Sequence, residues 1–299
     1  MTSAKINIAL IVAAALSLSA CDKAPFSGNA SSGGLSEAGD AGGQLEGYIE
    51  AHNRLIGSFG YYERSGLYRK ADVAHASTEG QFLVSDGWIS KGIDALKEAR
   101  AKSGAAADLN AAADALIVSL TKVDTHLADL ATYYDSKKFL EDNLARGKRE
   151  DPQMLAELTV ADKDMDTFNR LLERDIAKRD QVVLEKLKSE GDLLAYNSKL
   201  ALMHSNALIS MFNTADDLRS SAIFARADAE VAVIEKAIDD AHQQAAKVGK
   251  KDPSELDALK TMIGYYRSLK KKHEASDAEG MMRNYNTAVD AANRPMPSS

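Results

Sequence analysis

The sequence predicts an all-α chain, and three observations carry that prediction. From Gln44 onward, apolar residues recur at intervals of three and four, which places them on one face of a helix. No stretch alternates apolar and polar residues between tight turns, as paired strands would. The five prolines fall outside the periodic stretches: Pro25 in a Gly/Ser-rich segment, Pro152 and Pro253 at expected helix starts, Pro295 and Pro297 in the tail. Inside a helix each would cost about 3 kcal/mol. About seven to eight helices joined by short loops favour an elongated antiparallel bundle. Composition agrees. With 45% hydrophobic and 27% charged residues, the 299-residue chain is too apolar to be mostly disordered. A single Cys excludes a disulfide scaffold, a zinc ribbon, an iron–sulfur cluster and a CxxCH haem site. A net charge of −7 speaks against a nucleic-acid partner.

The N-terminus comes first. Lys5 precedes an apolar run over 6–18 that ends in small residues. These are the features of a secretory signal, and the run is shorter than the roughly 20 residues a membrane-spanning helix needs. Leu18-Ser19-Ala20-Cys21 resembles the bacterial lipobox, whose cysteine thiol receives a diacylglyceryl group before the chain is cut ahead of it. The resemblance implies a lipoprotein signal peptide at 1–20, lipid attachment at Cys21, and a domain held on the membrane in the periplasm. Asp22 resembles the retention signal of enteric inner-membrane lipoproteins, but Lys23 is not the residue that strengthens it, so inner and outer membrane both stay open. Residues 21–43 read as the lipidated cysteine and a Gly/Ser/Ala-rich tether with a reach of roughly 26 Å.

A helical domain is expected over 44–294, followed by a tail at 295–299. Leu45, Tyr48, Ile49, His52, Leu55, Ile56 and Phe59 mark the first helical face. Residues 65–84 are weakly patterned and read as a loop with a short turn. The second helix is expected over 86–102, with Ile89, Ile93 and Leu96 inward and Ser103-Gly104 ending it. A long helix over 106–146 carries Leu109, Leu116, Ile117, Leu120, Val123, Leu127, Leu130 and Tyr134. It would span near 60 Å unless it breaks near Ser136. Gly147 reads as a helix stop, and Asp151-Pro152 as an N-cap with proline at the first helical position. The fourth helix carries Leu155, Leu158, Met165, Phe168, Leu171, Leu172 and Ile176, and Gly191-Asp192 interrupts it. The fifth carries Leu193, Leu200, His204, Leu208 and Met211, and Asn213-Thr214-Ala215-Asp216 fits either a break or a continued helix. Val231, Ile234, Ile238 and Ala245 mark the sixth, ended by Gly249. Asp252-Pro253-Ser254-Glu255 restarts the chain with Glu255 at a capping-box position. Leu256, Leu259, Ile263, Tyr266 and Leu269 make the seventh, and 278–292 the last.

Motifs of chemistry are sparse. GKREDP (147–152) and GKKDP (249–253) echo each other but lack P-loop spacing, and read as helix stops with basic residues and new caps. Paired Glu-x-x-His motifs would build a di-iron bundle. The nearest approaches are Asp72-x-x-His75 and Asp239-x-x-His242, with His126-x-x-Asp129 in reverse order, so no metal site is expected. His52 and His204 sit on apolar faces as core histidines. No GxSxG elbow and no GxGxxG after a strand is present, so neither catalytic residues nor a cofactor is expected. Lys270-Lys271-Lys272-His273 reads as a helix-terminal charge group.

TYYDSKKFLEDNLARGKREDPQML (132–155) resembles the central motif of the YiiG-like bacterial lipoproteins, a family of unknown function. The shared elements are Tyr133-Tyr134, Lys138, Phe139, Asp142 and Gly147-Lys148; GYIEAHNRLI (47–56) and RNYNTAVDAAN (283–293) extend the resemblance over 44–294. Where relatives often carry a histidine after the Gly-Lys, Glu150-Asp151 stand here. The resemblance implies a lipobox followed by a helical domain. It singles out Tyr134, Lys138 and Asp142, with Gly147 and Lys148, either as a surface site or as a stripe that packs a long helix. The sequence therefore leads to a non-enzymatic, membrane-anchored helical module that binds an envelope protein or another envelope component. The alternative is a lipoprotein holding a small ligand or metal between helices.

Overall fold

The computed structural model describes residues 36–294, with side chains from residue 43 onward. The segment expected to be a signal peptide, Cys21, the part of the expected tether ahead of Ser36 and the tail 295–299 lie outside the described residues. Among the described residues the regular structure is helical throughout: nine α-helices and two short 3-10 turns, with no strand. They form two compact units, residues 36–177 and 178–294.

The first unit contains α1 (Ser36–Ile56), α2 (Tyr61–Ala71), α3 (Ile89–Arg100), α4 (Ala107–Asp135), a 3-10 turn at Lys138–Leu140, and residues 145–177 of α5 (Ala145–Ser189). Leu45, Tyr48, Ile49 and Leu55 of α1 are buried with Ile89, Ile93 and Leu96 of α3 and with the apolar stripe of α4 from Leu109 to Leu130. The buried polar groups at the start of α1 are matched. Gln44 donates to Asn110 Oδ1 at 2.9 Å and accepts from the Ala105 amide at 2.6 Å, while the Tyr48 hydroxyl donates to Asn110 Oδ1 at 2.6 Å. These bonds fasten α1 to the α3–α4 connection and satisfy a fully buried amide that would otherwise be costly.

Several expectations change here. α1 begins at Ser36, ahead of Gln44 and inside the segment read as tether. It stops at Ile56, so Phe59 lies beyond it, exposed and with φ 64°. Residues 65–71 are helical, as the end of α2, and this helix brings the total to nine. The long helix expected over 106–146 does break near Ser136, where α4 ends. Gly147 is no stop, and Pro152 is no restart: both lie inside α5. The helix begins earlier because the Asp142 carboxylate accepts the Arg146 amide at 3.0 Å, capping the first turn from upstream. Pro152 and Lys148, whose carbonyl loses its helical donor, are both exposed, leaving that carbonyl to water. The early start also rotates the helix: Met154 is buried and Leu155 is exposed.

The second unit holds the rest of α5, α6 (Leu193–Ile209), a 3-10 turn at Asp217–Arg219, α7 (Ser221–Lys247), α8 (Glu255–Lys272) and α9 (Ala275–Ala292). Its punctuation is local. Asp192 caps α6 by accepting the Ala195 amide at 3.1 Å, and Ser220 caps α7 by accepting the Ile223 amide at 3.3 Å. Asn213–Asp216 is thus a break. Leu208, Phe212, Phe224, Ile234, Leu259, Tyr266 and Met281 share one core. The capping box at Glu255 does not form: Ser254 makes no side-chain cap, and Glu255 is buried, accepting instead from the Ser198 hydroxyl.

Candidate functional site

The segment 132–155 folds into a corner between the end of α4 and the start of α5. Lys137, Asn143 and Leu144 adopt left-handed backbone conformations, with φ of 56°, 52° and 64°. Leu144 is buried there and its amide bonds to the Phe139 carbonyl at 2.9 Å, so core packing holds a conformation that costs a non-glycine residue roughly 1 kcal/mol. The Tyr133 hydroxyl donates to Asp142 Oδ1 at 2.7 Å, and Asp142 Oδ2 takes the Arg146 amide. The Arg146 guanidinium lies over the Tyr133 ring at 5.3 Å and pairs with Asp129 and with Glu150, the latter at 3.1 Å. Tyr134 is buried. Its ring stacks on Phe82 at 4.8 Å, its hydroxyl lies against Gly147, and that hydroxyl has no hydrogen-bond partner among the described residues. A Cβ at position 147 would overlap it. Below the corner the Tyr68 hydroxyl of α2 donates to the buried Asp151 at 3.0 Å.

The electrostatics fit a closed joint. Burial and the Asp142 hydrogen bond push the Tyr133 phenol up to about 12. Burial pushes Tyr68 and Tyr134 up as well, with nearby carboxylates adding to it. The Tyr133 hydroxyl holds the Asp142 carboxyl below its usual range. Phenols that stay protonated are hydrogen-bond donors, not bases or nucleophiles. Of the residues singled out by sequence, the structure brings together Tyr134 and Gly147, and sets Asp142 beside them through Tyr133. Lys138 and Lys148 are exposed and stand apart from that contact. Arg146 belongs to the joint and was missed; its i, i+4 spacing from Glu150, noted in the sequence only as standing in place of a histidine, is the signal that marks it.

A groove runs between α4 and α5 in the same unit and encloses about 600 Å³. Ala115 and Ala156 are small enough to leave the space, and Val118 and Val160 stand along it, 58% and 54% exposed. Asp114, Lys122, Gln153, Glu157 and Asp164 are its polar lining. Glu157 is held in place by His126 Nδ1 at 2.8 Å and by Gln153, which donates to Oε1 at 2.9 Å; Arg100 holds Asp114 at 2.9 Å. Two valines more than half exposed on neighbouring helices are an apolar surface that the domain's own core leaves uncovered.

His75 pairs with Asp72 at 2.8 Å, His204 with Glu230 at 2.6 Å, and His242 with Asp252 at 2.7 Å rather than with Asp239, while His126 stands between Glu157 at 2.8 Å and Glu150 at 3.9 Å. His52 is buried in the first unit, and burial brings its imidazole down to about 4. Among the described residues no group of three or more His, Cys, Asp or Glu side chains is placed to hold a metal. His273 ends α8 with φ 59° and bonds the Leu218 carbonyl at 2.7 Å, while Lys270 pairs with Asp228 at 2.6 Å, so the basic run closes a helix.

Residues 44–294 match the family described as protein of unknown function (DUF3829), and the chain belongs to that family. No curated protein and no solved structure matches the chain.

Proposed function

We propose that this member of an uncharacterised family is a lipid-anchored lipoprotein of the bacterial cell envelope, YiiG-like, whose helical domain stands in the periplasm and binds another envelope protein without catalysing a reaction. The observation that carries binding is the α4–α5 groove with its exposed Val118 and Val160. A partner helix laying an apolar face there would bury both valines, each contributing about 1 kcal/mol or more. A small apolar ligand suits the groove less well: ligand pockets bury most of their occupant, whereas these valines are already more than half open to water. Leu18-Ser19-Ala20-Cys21 supports the anchor, since several acyl chains on Cys21 hold a protein to a bilayer far better than one. No helix among the described residues is long and apolar enough to cross a membrane. The closed corner at Tyr133–Asp151 supports a non-enzymatic role, because the Tyr133 and Tyr68 phenols are committed to Asp142 and Asp151 and burial keeps these phenols and that of Tyr134 protonated.

A photo-crosslinking amino acid placed at Val118 or Val160 in living cells should give a discrete adduct with a second protein, while one at Val182 should not. No adduct at either valine across several growth conditions would overturn the binding reading. Metabolic labelling with a clickable palmitate should tag the wild-type protein, and its failure to do so would overturn the anchor.

A further inference from the structure

The chain's only tryptophan is an exposed residue. Trp88 precedes α3 and is 51% exposed; Phe59, just after α1, is 47% exposed and packs against it with ring centroids 5.1 Å apart. The pair is built rather than incidental. The Trp88 amide donates to the Phe59 carbonyl at 2.8 Å, joining two connections distant in sequence. Phe59 is held at φ 64°, a left-handed conformation that a large side chain adopts only when its surroundings impose it. Gly87 meets the same joint at φ 59°, and a Cβ there would overlap the Arg64 side chain and the Phe59 carbonyl. Two cations flank the rings: Lys91 Nζ lies 4.6 Å from the Trp88 ring, and Arg64 4.9 Å from that of Phe59. Glu63 offsets Arg64 at 3.5 Å, so the exposed Lys91 supplies most of the positive charge.

An aromatic pair with an amphipathic indole at its tip and a lysine beside it is the composition that settles at the boundary between lipid headgroups and acyl chains. We infer that the Phe59–Trp88 pair is an interfacial membrane contact, in which the rings enter the headgroup region of a bilayer carrying anionic lipid and Lys91 stays at the phosphates. The inference rests on the proposed lipid anchor, which would keep the domain within reach of that surface. The pair lies on the α1–α2 and α2–α3 connections and shares no residue with the lining of the α4–α5 groove.

Trp88, as the sole tryptophan, is its own probe. Full-length protein purified from membranes is added to vesicles of phosphatidylethanolamine and phosphatidylglycerol, with and without bromine on the acyl chains, and the same sample is assayed for palmitate label. Trp88 emission should move to shorter wavelength and lose intensity only with brominated lipid. On the anionic vesicles Lys91→Glu should weaken docking of the Trp88 ring, read as its quenching by brominated lipid, by roughly fivefold or more, and Phe59→Ala should weaken it too, both with unchanged helicity by circular dichroism. Label without quenching overturns the inference and leaves the anchor standing; quenching without label does the reverse. An emission shift that appears without lipid and grows with protein concentration would show a second copy covering the pair, and would also overturn it.

Discussion

Replacing Gly147 by Ala inside a helix ordinarily stabilises it by about 0.5–1 kcal/mol. At this site the sign should reverse, because the added methyl would overlap the Tyr134 hydroxyl. Tyr134 cannot swing away, since its ring is buried, stacked on Phe82 and met edge-on by Tyr133. Forcing a methyl into a packed core costs typically 1–3 kcal/mol, so Gly147→Ala should lose about 1–2 kcal/mol net. The geometry supplies its own control. Without the hydroxyl, the nearest ring atom to the new methyl is Cζ at 3.4 Å, and Val73 Cγ1 lies at the same distance, both close to ordinary contact. In a Tyr134→Phe background Gly147→Ala should therefore gain about 0.5–1 kcal/mol, a coupling of about 2 kcal/mol between the positions. Tyr134→Phe alone should be neutral or stabilising, since it removes a buried hydroxyl that has no partner among the described residues. Urea unfolding followed by circular dichroism measures all four proteins, read on the transition assigned to residues 36–177. Equal shifts from Gly147→Ala in both backgrounds, or a gain in the wild type, would refute the reasoning.

Three further outcomes follow from polar groups held by the fold. Burial holds His52 at about 4 against 6.5 in the unfolded chain, so the unfolded state binds the extra proton between those values. Stability should be complete above pH 6.5 and fall by about 3 kcal/mol as pH drops toward 4, a dependence that His52→Leu should flatten in acid-unfolding curves. Asp142→Ala removes the acceptor of both the Arg146 amide and the Tyr133 hydroxyl; a loss of about 1–2 kcal/mol should appear with faster hydrogen exchange at the first turn of α5. In the second unit Lys199 and Asp180 form a buried ion pair at 2.8 Å. Asp180→Ala should cost about 3–5 kcal/mol by stranding the lysine, whereas Asp180→Leu with Lys199→Met should recover most of it in the same denaturation assay.

What the sequence made legible depended on how local the cause was. α3, α7 and α8 bury aliphatic residues at the helical period, and every inward residue read from them is buried. α2 was missed from Ser65 onward because its buried stripe is Tyr61, Ser65 and Tyr68, and its stabilising partners are distant in the chain: Asp162 for the Tyr61 hydroxyl at 2.5 Å, Asp151 for that of Tyr68. Gly147 and Pro152 misled for a related reason. Each is a helix boundary signal by local rule, but Asp142 had already started the helix, and Gly147 serves the close approach of Tyr134. The groove was illegible since Val118 and Val160 fall off the inward stripes, where single apolar residues are ordinary, and nothing local sets the two side by side. Only the packing shows that no residue of the described chain covers them.

The family motif and the binding surfaces therefore make opposite demands on mutation. In the corner, Tyr133, Asp142, Arg146 and Asp129 satisfy one another, so changing one of them acts through the fold. Val118 and Val160 satisfy nothing inside the domain and are free to act through a partner. Tyr133→Phe should lower stability by about 1 kcal/mol yet leave the crosslink at Val160 intact per folded molecule. Val118→Asp should leave stability within about 0.5 kcal/mol, since the side chain is already in water, yet abolish that crosslink, because a carboxylate forced under an apolar partner would lose its hydration. A corner substitution that removed the crosslink while the domain stayed folded would place the partner at the tyrosines, and the motif would then be a recognition surface rather than a joint.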